Sequence, residues 1–238
     1  MSTVDDQPTD PGTPVEGHGH IVRRGFEDAL TATKEDVLRL GSLVENALER
    51  AGRALAERDV DLADAVRWDD ANVNELQRGI NTGITRIIAT QGPVARDVRE
   101  LLALYHAAAE LERMGDYAVS IAKLAQQLAA EPETPLLHQI PEMERLCRSQ
   151  LRAAMRSLVD VSEAEARAVC EGDDELDHLY NAAYEDAVAL MEAAPQHARQ
   201  ATHMLFVAHH LERLGDRVTN IGEDVVFLVT GQIEDLNP

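Results

Sequence analysis

The sequence LERMGD at residues 111–116 returns one hundred residues later as LERLGD at residues 211–216. Each copy lies in a long Ala-, Leu- and Val-rich run in which apolar or small residues recur at steps of four and three. This spacing places one apolar stripe on an α-helix. The stripes consist of Leu104, Ala108, Leu111, Gly115, Ala118, Ala122 and Ala125 in the first copy, and of Met204, Ala208, Leu211, Gly215, Val218, Gly222 and Val225 in the second. The repeat therefore predicts two long helices with matching buried faces.

Two carboxylates flank each stripe. Glu112 and Asp116 lie one helical turn apart, as do Glu212 and Asp216. Like charges at this spacing repel each other by roughly 0.2 to 0.5 kcal/mol, so we expect a cation to face each pair. The glycine of each copy costs its helix about 1 kcal/mol relative to alanine, although it lies on the buried stripe. We therefore expect a neighbouring helix to approach closely at both glycines.

Composition bounds the class of protein. The chain has 238 residues, of which 45% are hydrophobic and 3% aromatic, and this favours an all-α protein built from slim helices. The net charge of -21 argues against nucleic-acid binding, because a phosphate backbone would be repelled. Neither a transmembrane segment nor a signal peptide is evident, so we expect a cytoplasmic protein. Cys147 and Cys170 have no metal-ligand spacing, and we expect both to be small buried residues.

Turn and capping residues divide the chain into two similar halves of three helices each. We expect Asp59 to cap the second helix, Pro93 to occupy the first position of the third, and Gly231 to end the sixth. The predicted helices span residues 26–57, 61–90, 93–128, 141–161, 162–194 and 196–230. The predicted organisation is a disordered tail at 1–22, a three-helix bundle at 23–130, a Pro-rich linker at 131–138, a second bundle at 139–231 and a C-terminal tail at 232–238.

The second helices repeat as well, since residues 66–76 align with residues 169–179. If the second and third helices of each half are antiparallel neighbours, their acidic flanks face each other across a groove. Carboxylates spaced by four on facing helices are ligands that magnesium, manganese or iron prefer. The predicted metal ligands are Asp70, Asn74, Glu112 and Asp116 in the first half, and Asp173, Asp177, Glu212 and Asp216 in the second. Additional ligands of the second site could come from His209, Asn220, Glu223 and Asp224.

Two alternatives stay open at this point. Di-iron carboxylate enzymes use a Glu-x-x-His motif from each of two helices, and the chain contains one such motif, formed by Glu175 and His178. An oxidoreductase of that class is the enzymatic alternative. The other is a metal-free helical adaptor whose acidic flanks are solvated surface. Phosphate-binding loops and nucleophile motifs are not evident in the sequence, so hydrolase and kinase chemistry has no support.

The doubled Glu-Arg-(Met/Leu)-Gly-Asp motif, the paired Asp-x-x-x-(Asn/Asp) motif and the sequence QGPVARDVR at residues 91–99 together resemble the PhoU family over about residues 25–231. The resemblance implies two tandem three-helix bundles, often dimeric, with metal held by the acidic motifs. It also implies a non-enzymatic regulator of phosphate uptake that represses the phosphate-starvation response. Implied partners are the ATPase subunit of the phosphate ABC transporter and a membrane sensor kinase. Asn74 departs from the acid of the family and lowers the charge of the first site.

Overall fold

The computed structural model describes residues 16–135 and 137–236, with side chains from Arg24 onward, and these residues form helices and short connections without a strand. The helices are α1 (Glu16–Glu57), α2 (Val60–Gln91), α3 (Ala95–Ala129), α4 (Gln139–Asp160), α5 (Glu163–Glu171), α6 (Asp173–Ala193) and α7 (Ala198–Thr230). A 3₁₀ turn at Pro195–His197 precedes α7. The predicted all-α class is confirmed. Across the described residues, no helix combines the length and apolar character needed to cross a membrane.

The helix ends follow from local capping. The Asp59 carboxylate accepts a hydrogen bond of 2.9 Å from the Leu62 amide, and Gly231 ends α7 in the left-handed conformation, as predicted. Pro93 is not in the first helical position. The Asp97 carboxylate instead accepts a 3.4 Å hydrogen bond from the amide of Val94, which makes α3 begin two residues after the proline.

Helix α1 begins ten residues before the predicted start at residue 26. Adding residues to an existing helix is much easier than nucleating one, so the packed part of α1 extends into the polar residues that precede it. Residues 16–22 of the predicted tail therefore belong to α1, while residues 1–15 lie outside the described residues.

The predicted helix at residues 162–194 is in fact two helices, because the chain breaks at Gly172 between α5 and α6. Its start is as predicted, with Ser162 accepting a 3.4 Å hydrogen bond from the Glu165 amide. The break is stabilised by Gln150 of α4, whose side-chain amide donates a 2.7 Å hydrogen bond to the Gly172 carbonyl. Helix α6 consequently begins at Asp173, one of the predicted site residues.

Two three-helix bundles in tandem result, as predicted. Helices α1, α2 and α3 pack together, and α7 packs against α4, the broken pair α5–α6 and the preceding turn. Helices α3 and α7 pack against each other along much of their length, and α1 also packs against α4. One continuous hydrophobic core therefore runs through both halves. Cys147 and Cys170 are both buried, as expected.

Helices α3 and α7 contact each other through reciprocal positions of the repeat. The Glu110 carboxylate accepts 3.3 Å hydrogen bonds from Arg217 and Asn220 of α7. In the repeat, His210 occupies the position of Glu110, and Tyr117 occupies the position of Arg217. The rings of Tyr117 and His210 stack with a centroid separation of 5.7 Å. The contact of residue 110 with 217 is thus matched by that of residue 117 with 210.

The predicted C-terminal tail packs on the second bundle as far as it is described. Arg167 of α5 donates two 2.9 Å hydrogen bonds to the Glu234 carboxylate. The Leu236 amide donates a 2.8 Å hydrogen bond to Glu223 of α7. This segment therefore lies along the side of α7, and residues 237–238 lie outside the described residues.

Candidate metal centre

The first acidic cluster lies between α2 and α3, which run antiparallel as expected. Gln126 near the end of α3 donates a 2.7 Å hydrogen bond to Asp64 near the start of α2. Further along, a Cβ at Gly115 would lie 3.2 Å from Val73 Cγ1 and 3.8 Å from an oxygen of Asp70. The expected close helix approach at Gly115 is therefore confirmed, and it brings Asp70 to the acidic face of α3.

All four predicted residues of the first half interact. The side-chain amide of Asn74 donates a 2.8 Å hydrogen bond to the Asp70 carboxylate. Burial raises the pKa of Asp70 and the charge of Asp116 raises it further, against the opposing effects of Asn74 and Lys123. Burial likewise raises the pKa of Glu112, with added repulsion from Asp116 and Asp70. The carboxylates of this cluster thus destabilise one another's charged forms.

The second cluster lies between α6 and α7, where side chains of the facing helix pack more closely on the glycine of the motif. A Cβ at Gly215 would overlap the Leu176 side chain and would lie 2.7 Å from an oxygen of Asp173. Asp173 is only 3% exposed. The glycine at this position therefore makes room for a buried carboxylate against the motif of α7.

The electrostatic conflict is larger in this second cluster. Burial raises the pKa of Glu212 to about 7, and repulsion from Asp216 is the next cause, opposed by Arg213. Burial and Asp216 also raise the pKa of Asp177. One oxygen of Glu212, Oε2, is buried and accepts no hydrogen bond of good geometry from the residues that the structure describes, although His209 Nδ1 lies 3.4 Å from it. Asp173, Asp177, Glu212 and Asp216 are therefore together, as predicted, and at least one of them is poorly satisfied.

Basic side chains of the protein supply part of the positive charge that we expect to face the carboxylates. Arg213 forms an ion pair of 2.7 Å with Asp216, and Lys123 favours the charged form of Asp70. Neither interaction was predicted from the sequence, although the spacing of three between Arg213 and Asp216 on a helix is a signal for the first. Arg113 at the matching position pairs with Glu110 at 2.6 Å. The two halves thus use the same arginine of the motif differently.

Three additional ligands considered for the second site face other partners. Asn220 contacts Glu110 of α3, Glu223 binds the Leu236 amide, and Asp224 lies 3.2 Å from the ring nitrogen of His106. The expectation that these residues add to the cluster is wrong, because they lie on the flanks of α7 that meet α3 and the C-terminal segment. Burial raises the pKa of Asp224 to about 6, but this group belongs to the contact between the halves.

The enzymatic alternative has no support in the structure. Glu175 and His178 are both exposed on α6. Di-iron centres are built from side chains that project into the core of a bundle. An outward-facing Glu-x-x-His motif does not provide such a centre.

The two clusters fit a hard divalent cation by the type of their donors. Each contains at least three carboxylates that repel one another, and the second contains the buried Glu212 oxygen that lacks a hydrogen bond. Carboxylate oxygens are the ligands of Mg²⁺ and Mn²⁺. Within residues 24–135 and 137–236, no three His, Cys, Asp or Glu side chains already stand in metal-ligating positions. Metal binding would therefore require these side chains to rotate toward a common point.

A family model described as the PhoU domain matches residues 37–125 and, separately, residues 140–225. The chain belongs to the PhoU family. The two matched segments lie within the two bundles, one in each. PhoU family proteins are accessory and regulatory proteins, which confirms the prediction that the chain is not an enzyme.

Curated relatives of the PhoU family match nearly the whole chain. The protein from Clostridium acetobutylicum is 32% identical over 218 residues, which make up 91% of this chain and 100% of the relative. The protein from Caulobacter vibrioides is 35% identical over 214 residues, with 90% and 93% coverage. Both are named phosphate-specific transport system accessory protein PhoU homolog.

Solved PhoU structures share the fold. The crystal structure of PhoU from Pseudomonas aeruginosa superposes with a TM-score of 0.84 at 29% identity and covers 87% of this chain and 100% of that one. The phosphate transport system regulatory protein PhoU from Streptococcus pneumoniae gives a TM-score of 0.82 at 29% identity, with 88% and 99% coverage. The similarity extends over both bundles and their connection.

Proposed function

We propose that this protein regulates phosphate uptake as an accessory protein of a phosphate-specific transport system. The main support is the match to relatives of that name along 90% or more of the chain. A second support is the pair of acidic clusters, which lie at equivalent positions of both halves. The finer proposal is that the protein represses the phosphate-starvation response from the cytoplasmic side.

The proposed partners are the ATPase subunit of the phosphate transporter and a membrane sensor kinase, together with a second copy of the chain. The net charge of -21 favours docking to basic surfaces of such partners and raises encounter rates by electrostatic steering. The homodimer can be tested by light scattering of the full chain in solution.

Metal binding at the two clusters is part of this proposal. A divalent cation would supply positive charge to carboxylates whose mutual repulsion raises their pKa values. Asp70, Asn74, Glu112 and Asp116 would hold it in the first half, and Asp173, Asp177, Glu212 and Asp216 in the second. Because each cluster joins two helices, these residues would tie α2 to α3 and α6 to α7.

A metal-free adaptor is a second candidate, and one contact favours it. Arg213 already pairs with Asp216 at 2.7 Å, so the chain neutralises part of the second cluster without an external ion. The adaptor would bind the same partners. Its regulatory activity would not change when a chelator is added or when the carboxylates of the clusters are replaced by neutral residues.

The decisive experiment is deletion of the gene in its native host, with phosphate uptake and a phosphate-responsive reporter as measurements. We expect the deletion strain to express the reporter in high phosphate and the wild-type gene to restore repression. A gene carrying Glu212→Gln and Asp216→Asn tests the clusters, with Glu185→Gln as a control at an exposed carboxylate outside them. If deletion changes neither uptake nor expression, the regulatory proposal is wrong. If the double variant represses normally, the adaptor is favoured over the metal-dependent regulator.

A further inference from the structure

A cavity of about 510 Å³ lies at one end of the contact between α3 and α7, beside the C-terminal segment. Leu102 of α3, Phe227 of α7 and Ile233 of the C-terminal segment line it. Leu102 is 37% exposed and Ile233 is 91% exposed. Single exposed apolar residues are normal on a protein surface, but these three share one concave site. Apolar surface grouped in this way is typical of an interaction site.

The C-terminal segment is attached to the second bundle directly after Ile233. Two 2.9 Å hydrogen bonds join Glu234 to Arg167 of α5, and the Leu236 amide donates a hydrogen bond to Glu223 of α7. A partner that covers Ile233 therefore orders little additional chain. Surfaces that are ordered before binding lose less conformational entropy when they bind.

Four carboxylates line the same cavity, and two of them already have cationic partners. Glu110 pairs with Arg113 at 2.6 Å and with Arg217 at 3.3 Å. Glu234 pairs with Arg167 at 2.9 Å. These two carboxylates are neutralised within the protein and need no further cation.

The other two carboxylates, Glu223 and Asp224, are neighbours on α7. Glu223 accepts a hydrogen bond from the Leu236 amide, and Asp224 lies 3.2 Å from the Nδ1 atom of His106, which carries a full charge only when the imidazole is protonated. Among the described residues, neither carboxylate forms an ion pair with a lysine or arginine. The Asp224 side chain is only 18% exposed, and burial disfavours a carboxylate that lacks a paired cation. A cation that enters the cavity would supply the missing charge.

The opposite end of the contact between α3 and α7 lacks this acidic lining. The pseudosymmetry that relates the two ends pairs positions one hundred residues apart. The counterparts of Glu110, Glu223 and Asp224 are His210, Lys123 and Leu124. Acidic side chains therefore line one end of the contact, while neutral and basic side chains occupy the same positions at the other end.

We propose that this cavity binds a segment of the ATPase subunit in which an arginine or lysine lies beside an apolar side chain. The cationic group of this segment pairs with Glu223 and Asp224, and the apolar side chain covers the apolar residues of the cavity. The opposite end of the contact does not bind the segment, because it offers no carboxylate pair. This inference rests on the proposed function, in which the ATPase subunit is a partner.

The experiment measures binding of the full chain to the purified ATPase subunit by biolayer interferometry. The first variant carries Glu223→Gln and Asp224→Asn, whose amide oxygens can still accept the hydrogen bonds from Leu236 and His106. We expect this variant to bind ~10-fold or more weakly, because it leaves the cation of the partner without a carboxylate. The second variant, Ile233→Ser, should bind ~5-fold or more weakly through loss of an apolar contact.

Matched controls separate the cavity from the general charge and polarity of the surface. Glu185→Gln with Glu192→Gln removes the same two charges from exposed positions of α6. Val60→Ser makes the same kind of change as Ile233→Ser at an exposed residue of α2. We expect both controls to bind within ~2-fold of the wild type, and thermal unfolding should show that all variants are folded.

A photoreactive p-benzoylphenylalanine in place of Ile233 identifies the bound segment. Mass spectrometry of the crosslinked ATPase subunit should find a peptide in which an arginine or lysine lies within one helical turn of an apolar residue. The same group in place of Phe206, an exposed residue of α7 near the opposite end of the contact, should not crosslink this peptide. A crosslinked peptide without a basic residue would overturn the proposal.

The outcomes separate the inference from the proposed function. If the wild type binds the ATPase subunit and the cavity variants bind as tightly as the controls, the cavity is not the docking site and the proposed partner stands. If the wild type does not bind the ATPase subunit, the proposed partner is itself wrong and the inference falls with it. If light scattering shows a wild-type dimer that the cavity variants convert to monomers, the occupant is a second copy of the chain and the inference is overturned.

Discussion

The two acidic clusters are built from the same motif but differ in how closely side chains of the facing helix pack on the glycine of the motif. At Gly115 an added Cβ would touch Val73 at 3.2 Å, whereas at Gly215 it would overlap Leu176 and lie 2.7 Å from Asp173. The tighter cluster also holds the carboxylate whose pKa is raised to about 7. A repeated motif thus determines where the carboxylates lie, while their burial and the number of carboxylates that face them determine how strongly they conflict.

The largest effects are expected where the two halves are most alike. Leu111 and Leu211 are both essentially buried, at 0% and 1% exposure. We expect Leu111→Ala and Leu211→Ala each to lower the free energy of unfolding by about 2 to 5 kcal/mol, through lost burial and a residual cavity. Urea denaturation followed by circular dichroism measures this loss.

Both leucine variants should unfold in a single transition, because one core runs through both bundles. Two separate transitions in either variant would show that the halves unfold independently, and the comparison would then be between two domains. Val60→Ala, at an exposed apolar residue of α2, is a matched control with little expected effect.

The glycines should separate the two clusters. Alanine improves helix propensity by about 1 kcal/mol at either position, but overpacking costs about 1 to 3 kcal/mol where the space is filled. We therefore expect Gly215→Ala to be less stable than Gly115→Ala by about 1 to 2 kcal/mol, measured by thermal unfolding of the metal-free proteins. Equal stabilities would mean that the Leu176 and Asp173 side chains or α6 itself move aside at little cost.

Glu212 and Glu112 should also differ in how strongly their titration changes stability with pH. Burial and Asp216 raise the pKa of Glu212 from 4.5 to about 7. The folded wild type holds the proton of Glu212 more tightly than the unfolded chain does. Its stability is therefore greatest below the unfolded pKa and falls as the pH rises through the folded pKa, whereas a glutamine at this position does not titrate. We expect the advantage of Glu212→Gln over wild type to grow by ~1 kcal/mol from pH 4.5 to 7, a value discounted for partial exposure.

Glu112→Gln is the matched variant in the first cluster. The pKa of Glu112 is raised for the same kinds of cause. We expect a smaller change over the same interval, because two carboxylates repel Glu112 whereas three repel Glu212. Urea unfolding at several pH values with chelator present measures both. A Glu212→Gln curve parallel to that of wild type would contradict the raised pKa.

The last comparison makes the first cluster resemble the second. Asn74→Asp removes the 2.8 Å hydrogen bond to Asp70 and adds a negative charge. Without metal, we expect the free energy of unfolding to fall by about 0.5 to 1.5 kcal/mol. With Mn²⁺ present, the stabilisation by metal should exceed that of the wild type, as thermal unfolding with and without the ion can show. Asn72→Asp, at an exposed position of the same helix, controls for the added charge alone.

The repeat made much of the fold predictable. The apolar stripes of the two motif helices, the cap at Asp59 and the end at Gly231 follow from local spacing and chemistry, and the alignment of Asp70 with Asp173 placed both on the facing helices. The break at Gly172 was not predictable in the same way, because it depends on Gln150 from another helix. Similarly, the turn of Asn220 and Asp224 toward α3 depends on how the two halves pack.

The reciprocal contacts between α3 and α7 give the single chain the character of a symmetric dimer. In an isologous interface, residue i meets residue j and j meets i in return, and here 110 meets 217 while 117 meets 210. Covalent linkage of the two copies lets each contact carry different residues, which is impossible in a true homodimer. One side is consequently a charged hydrogen bond and the other a pair of stacked rings, so pseudosymmetry here preserves the geometry while allowing the chemistry of the two sides to diverge.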